Sequence, residues 1–459
     1  VYPAVVLTQL RESLGEQAVV VDPDVLAARS HDRSGAPAAG TPLAVVRPTS
    51  TEQVSLVMRT AHARGVPVVP QGALTGLAGG ADAVEGAILL DLTAMNRIVR
   101  IDPIDLVAVA QPGVITADLA TTVAEHGLFY APDPASASES TLGGNVATNA
   151  GGMRCVKYGV TRDAVRSLEV VLADGDVVRT SPPTVKAVGG LDLTSLLVGS
   201  EGTLGVITEI TVGLLPAPGP VRGITASFGS NQAALDAANE IMVGPHRPST
   251  LEFMDGAVIA AIIAYDSSVG LPDDAKAWLL VLTDSLTGAA EDVAAYAEVA
   301  RHHGAVRIDV ADDPERVDDL LRARRLLNVA MHDLRGDGLN EDVAVPRGKL
   351  AELLVRLAEL SERVGLPIGT AGHVGDGNLH PVVCFDPNDP GETRIAHQTH
   401  EAILRLANEL GGTVTGEHGI GLEKLSAVDA ELGPRLRGLQ RGIKDVLDPA
   451  GILNPGKKL

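Results

Sequence analysis

Residues 68–81 read VVPQGALTGLAGGA, a short apolar strand running straight into a loop that holds Gly72, Gly76, Gly79 and Gly80. Glycines at this density permit tight turns and let a ligand approach main-chain N–H groups, so the segment serves either as a structural turn or as a wrap for a diphosphate. The spacing is not GxGxxG and there is no GK[ST] ending, which removes both the Rossmann fingerprint and the P-loop. Upstream lies a βαβ unit, with PLAVVRP as a strand, TEQVSLVMRTAHARG as a helix and PVVP as the second strand.

Further strands are expected in AILLDL and LVAVAQPGV, a helix in TADLATTVAEHG, and a hairpin in SLEVVLADGDVVRT around Asp174-Gly175. The run GVITEITVGLLPAPGP ends in prolines and marks a boundary near residues 216–220. Beyond it, helical patterns such as NQAALDAANEIMV and GKLAELLVRLAELSERVG alternate with short strands such as AWLLVLTD and LHPVVCF. A chain of 459 residues exceeds one ordinary core. The expected class is α+β, divided into an N-terminal helical segment (1–40), a first domain (41–217), a cap (218–410) and a last stretch (411–459) that ends in a helix.

Two more glycine clusters follow the first. PDPASASESTLGGNVATNAGG is long and lacks apolar periodicity, and segments of that kind inside a domain are functional or disordered. The ordered pattern of MRCVKYGVTRD after it argues against disorder. VGSEGTLGVIT precedes the last strand of the first domain.

A formal charge of -21 argues against a nucleic-acid partner, so any anionic ligand must be held by local donors. No apolar run reaches the roughly 20 residues of a membrane span. Cys155 and Cys384 are too few for a disulfide scaffold, an iron–sulfur cluster or a four-cysteine zinc site. With no export signal visible, a reducing cytoplasm fits best, and peripheral attachment to the inner membrane stays open.

In AGHVGDGNLHPVV, His373 and His380 flank a GDGN turn, so a reversal there can bring both imidazoles onto one ion; histidines beside turns also serve as plain loop residues. TVTGEHGIG adds Glu417 and His418 in a stretch too polar for a core strand. Two histidines and a carboxylate with an open position suit zinc or ferrous iron. Arg322, Arg324 and Arg325 lie on a helical pattern and are either a carboxylate clamp or a solvated basic face.

The three glycine segments, in this order, resemble the FAD domain of the vanillyl-alcohol-oxidase and p-cresol-methylhydroxylase (PCMH) type. The C-terminal half resembles the FAD-linked oxidase cap of D-lactate dehydrogenases, the glycolate oxidase catalytic subunit and D-2-hydroxyglutarate dehydrogenases. The similarity runs from about residue 30 to 459. It implies that Pro70, Gly72, Ala73, Thr75, Gly76 and Gly80 wrap the FAD pyrophosphate. It further implies that Pro132, Asp133, Ser136, Thr141, Gly143, Gly144, Ala147, Asn149 and Gly151 line the flavin and ribityl chain. Glu201, Gly205 and Ile207 would lie toward the adenine, and Asn454 would close over the cofactor. Two departures stand in the first loop, where Leu74 replaces a usual glycine and Gln71 an arginine.

The same resemblance implies His373, His380 and Glu417 as ligands of a divalent metal, zinc before manganese or iron because flavin already carries the redox role. His418 is then the base and Arg324 the substrate-carboxylate clamp. The implied reaction is FAD-dependent oxidation of a small D-2-hydroxy acid, with the flavin non-covalent because QGALTGLAGG offers no histidine or cysteine for attachment. Alternatives are a D-2-hydroxyglutarate dehydrogenase, a flavin-dependent alkyl transferase and a non-catalytic oxidase subunit. Asn340 stands where the dicarboxylate enzymes have a lysine, and Val382 where they have an asparagine; both point to a short monocarboxylate whose tail Val382 contacts. The electron acceptor stays open among a quinone, a cytochrome, an electron-transfer flavoprotein and oxygen, as does the oligomeric state.

Overall fold

The structure, a computed structural model, describes residues 2–35 and 40–459. The stretch 36–39, beside the expected boundary at 40, lies outside the described residues. The chain forms two compact units: Val1–Gly152, Gly159–Ala217 and Glu417–Leu459 make the first, and Met153–Tyr158 with Pro218–Gly416 make the second.

The first unit holds two main sheets. In one, Ala44–Val46, Ile88–Asp91 and Val68–Gln71 run parallel, with Val19–Val20 antiparallel at the edge. Its central strands are short Val, Ile and Leu runs buried on both faces, as a parallel sheet requires. Tyr2–Leu14 and Thr51–His62 cover it through Val6, Leu10, Val54, Val57 and Met58. Ser50 starts the second of these helices by accepting from Gln53 N.

The other sheet is antiparallel, in the spatial order Ile98–Asp102, Val107–Ala110, Val206–Gly213, Val165–Val171, Val177–Arg179. The expected Asp174-Gly175 hairpin joins the last two, with Gly175 at φ 87. The helix expected at the end of the chain is Leu425–Leu447, but it is not the end of the structure. The Asp448 carboxylate accepts from Ile452 N at 3.1 Å and Leu453 N at 2.7 Å, turning the chain back so that Leu453 bridges Val68 in the first sheet.

The second unit is an eight-stranded antiparallel sheet. Along its main path stand Arg307–Ala311, Arg222–Phe228, Ala277–Thr283, Thr250–Asp255, Ile368–His373, Asn378–Phe385 and Asp337–Asn340. Helices Gly256–Tyr265 and Pro314–Asp333 bury one face, packing on Met254, Trp278, Leu280, Ala371, Val382 and Cys384. The short segment Met153–Tyr158 joins this unit: Tyr158 Oη donates to Asp284 at 2.6 Å, Lys157 pairs with the same carboxylate, and Arg247 donates to Val156 O at 2.9 Å.

Among the described residues no helix is long and apolar enough to cross a membrane.

Candidate active site

The glycine loop after Val68–Gln71 forms a wall of a cavity of about 400 Å³ within the first unit, inside the range usual for ligand pockets. The backbone is shaped for close approach. A Cβ on Gly72 would fall 2.3 Å from Thr141 Oγ1, which itself caps the helix Leu142–Thr148 by accepting from Gly144 N at 3.2 Å. The long segment expected to lack periodicity thus contains a helix, held by its cap and by the buried Leu142 and Val146 rather than by helix propensity.

Strain collects around this cavity. Leu74 (φ 60), Asn149 (φ 56), Glu201 (φ 53) and Asn454 (φ 40) are four of the six described non-glycine residues with positive φ. Each such residue costs on the order of 1–3 kcal/mol and persists only where its surroundings impose it. Leu74 therefore keeps the left-handed turn that the usual glycine adopts freely. The other departure is also accommodated. Buried Gln71 donates to Arg29 O at 2.9 Å and Ala81 O at 2.7 Å, tying both ends of the loop, while Arg29 Nη2 donates to Gly72 O at 3.0 Å. A guanidinium from the N-terminal segment thus braces the start of the loop.

Of the residues expected to hold FAD, Pro70, Gly72, Ala73, Thr75, Gly76, Gly80, Ser136, Thr141, Gly143, Gly144, Ala147, Gly151, Glu201, Gly205 and Ile207 line the cavity, and Glu417 and His418 do as well. Pro132, Asp133, Asn149 and Asn454 do not. Asn149 sits behind the wall, its Oδ1 accepting from Arg162 N at 2.9 Å, and Asp133 O lies against Gly152. Asn454 is a strut rather than a cover, its amide donating to Gly80 O at 2.9 Å and Glu201 O at 2.7 Å. The Glu201 carboxylate faces the C-terminal segment: it accepts from Ile420 N at 2.9 Å and Gly421 N at 2.8 Å and pairs with Lys458 at 3.0 Å. That clamp holds the chain just after His418 against the first loop, where a Cβ on Gly421 would meet Ala78 O at 1.8 Å.

Charge behind the loop is unusual. Burial pushes the Lys457 ammonium down to about 8, against the pull of Asp82, Asp32 and Glu201. It donates to Asp82 O at 2.5 Å and to Asn454 Oδ1 at 3.1 Å. Asp32, which sequence reasoning missed, lines the cavity; burial raises its carboxyl, and its Oδ2 makes no hydrogen bond. The cradle of exposed glycine backbone, with this acceptor on its wall, fits a dinucleotide that brings both phosphates and hydroxyl donors.

In the second unit the GDGN turn joins Ile368–His373 to Asn378–Phe385 and sets the His373 and His380 rings edge to face, with centroids 5.3 Å apart. Side chains two apart share a face of a strand. His380, Val382 and Cys384 therefore lie along one line, His373 and Ala371 along the next, and Glu252 and Met254 along the third. The apolar members enter the core under Pro314–Asp333 and the polar ones cluster at one end. This overturns the reading of Val382 as a contact for the substrate tail: it is fully buried in that core. Asn340 is exposed, with Nδ2 3.3 Å from His332 Nε2.

Glu252, a lone carboxylate beside Leu251 and Phe253, was also missed. It is fully buried, lies 2.5 Å from His373 Nδ1 through Oε1, and accepts from Arg324 Nε at 2.8 Å through Oε2. Burial drives its pKa upward, but His373 and Arg324 outweigh this and hold it at about 2. Arg324 is thus committed through Nε to Glu252, whereas Arg322 pairs with Asp266 and Arg325 with Asp318 at the surface. Behind His380 stands buried Asp342, with Oδ1 3.9 Å from Nδ1.

Two paired sheets with a glycine-walled cavity, followed by a large antiparallel sheet, define the class: a two-domain flavoprotein of the PCMH fold. Residues 42–181 match the FAD binding domain, and 218–458 match FAD linked oxidases, C-terminal domain. The chain belongs to this FAD-linked oxidase family and is an FAD-binding oxidoreductase. It is 40% identical over 417 residues to the glycolate oxidase subunit GlcD of Bacillus subtilis, covering 91% of this chain and 88% of that one. It is 35% identical to the D-lactate dehydrogenase of Anaerostipes hadrus, covering 97% and 95%. Among solved structures, p-cresol methylhydroxylase with bound substrate matches at a TM-score of 0.79 and 21% identity, over 99% of this chain and 96% of that one. Alkyldihydroxyacetonephosphate synthase matches at 0.76 and 18%, over 98% and 85%. At such identities these two structures speak for the fold alone.

Proposed function

We propose that the chain oxidises a short D-2-hydroxy acid, such as D-lactate or glycolate, to the 2-oxo acid, using non-covalently held FAD. The observation that carries this reading is the place of His418 on the wall of the glycine-loop cavity, which makes its imidazole the proposed base for the substrate hydroxyl. Bound FAD supplies the acceptor for the hydride leaving C2. The loop amides of residues 72–80 would hold its diphosphate, and the residues of the cavity wall would shield the flavin from water. The names of the glycolate oxidase and D-lactate dehydrogenase relatives support a hydroxy-acid substrate.

His373, His380 and Glu417, the ligand set that the family resemblance implies, are proposed to hold a divalent ion. Their neutral-imidazole and carboxylate donors suit zinc. Such an ion supplies Lewis acidity toward the substrate hydroxyl and carboxylate. Arg324, fixed through Nε, presents its terminal nitrogens to the carboxylate. Position 340 bears no cation, which disfavours a second carboxylate on the substrate.

Anaerobic mixing with a panel of D- and L-2-hydroxy acids is the test. Bleaching of the flavin band by D-lactate or glycolate is expected, faster than by D-2-hydroxyglutarate, and lost after chelation while FAD stays bound. No bleaching by any hydroxy acid overturns the reading; full activity in metal-free protein overturns its metal part.

A further inference from the structure

We infer that Glu252 is a positioning residue that ties the metal-side imidazole of His373 to the carboxylate clamp of Arg324, acting on both through one buried carboxylate. The inference rests on the hydroxy-acid reading above and adds a residue that touches neither substrate nor ion.

Glu252 lies on Thr250–Asp255, a strand whose Leu251, Phe253 and Met254 are all buried. A carboxylate at that depth is expensive unless each oxygen finds a partner. Here the division is complete, with one oxygen on His373 Nδ1 at 2.5 Å and the other on Arg324 Nε at 2.8 Å. The register dictates the first contact. Phe253 pairs with Gly372 and Met254 with Ala371, so Glu252 is the next position along, facing His373 across the two strands. The second contact comes from the helix Pro314–Asp333, which lies over the same face of the sheet.

Each contact has a chemical consequence. A carboxylate only accepts, so the imidazole must carry its proton on Nδ1, leaving the Nε2 lone pair for an ion. The guanidinium, held at Nε, keeps its plane fixed and its two terminal nitrogens available for a bidentate carboxylate. A swing of either side chain drags the shared carboxylate, so ion binding and acid binding are linked through Glu252. Two separate acceptors would leave them independent.

The test compares wild-type FAD-loaded protein with Glu252→Gln, in which one amide oxygen must serve two donors. Zinc affinity is measured by chelator competition, KM and kcat with D-lactate, and the His373 tautomer by nitrogen NMR. Expected are zinc binding weaker by about 10–100-fold, a KM for D-lactate raised about tenfold or more, and loss of the Nδ1–H signature, with FAD content unchanged. Unchanged zinc affinity and KM overturn the inference. Should the Gln variant not fold, Glu252→Asp keeps the charge on a shorter arm; a shift of zinc affinity and KM in the same direction supports the inference, and wild-type values overturn it. Wild-type protein that takes up no zinc defeats the metal reading by itself, and the KM and tautomer measurements then decide the role of Glu252.

Discussion

Gly72→Ala tests whether the cofactor cavity depends on contact between its first two loops. The added Cβ would fall 2.3 Å from Thr141 Oγ1 but 3.6 Å from Thr141 Cβ and 3.8 Å from Cγ2, so the hydroxyl alone is in the way. Moving it breaks the cap on Gly144 N, which is worth about 1 kcal/mol. Crowding a packed site adds about 1–3 kcal/mol. The expected loss is about 2–4 kcal/mol in unfolding free energy, with reduced FAD retention. Thr141→Ala alone should cost about 1 kcal/mol through the cap. In that background Gly72→Ala meets only ordinary van der Waals distances and becomes nearly neutral, helped by about 0.4–1 kcal/mol from the lower entropy of the unfolded chain. Urea unfolding of the four proteins, with FAD content read by absorbance, should give a coupling of about 2–4 kcal/mol. If Gly72→Ala costs the same with and without the Thr141 hydroxyl, the contact between the loops is not what requires glycine.

Leu74→Gly relieves a left-handed leucine and should raise apo-protein stability by about 0.5–1 kcal/mol, after about 0.5–1 kcal/mol is returned to the unfolded glycine; a lower urea midpoint would refute the strain. His418→Ala should slow flavin reduction by roughly 100-fold at unchanged FAD content, whereas loss of metal alongside rate would make His418 a ligand. Burial lifts Asp255 from 3.8 to about 6, against the pull of Val258 N and Thr370 N. Because the folded value is the higher, its contribution to stability is full below about pH 4 and is lost as pH rises through 6, a change of about 3 kcal/mol. Asp255→Asn should flatten that slope, and an unchanged pH profile of stability would contradict it.

Apolar periodicity and glycine turns were legible in the residues, and they place the βαβ unit, the Asp174-Gly175 hairpin and the reversal between His373 and His380. The helix Leu142–Thr148 was not, because two glycines in its first turn lower its propensity and only its buried side and the Thr141 cap sustain it. Val382 was misjudged because sequence distance from His380 does not say how far along the strand the polar end of the face extends; the structure ends it at His380. Glu252 left a signal that went unused, a carboxylate within an apolar strand, which is costly unless something pairs it. Arg29 left none, since its role depends on where a distant segment packs.

The return of residues 452–458 to the first sheet orders events during synthesis. The strand partner of Val68, the strut of Asn454 and the buried Lys457 are the last pieces of the first unit to leave the ribosome, whereas the second unit is finished at Gly416. The chain of the second unit is therefore complete while the first unit still lacks these pieces. The wall that Asn454 and Lys457 brace is complete only once the ILNPGK segment has emerged, so the cofactor cradle is among the last parts of the first unit to be finished.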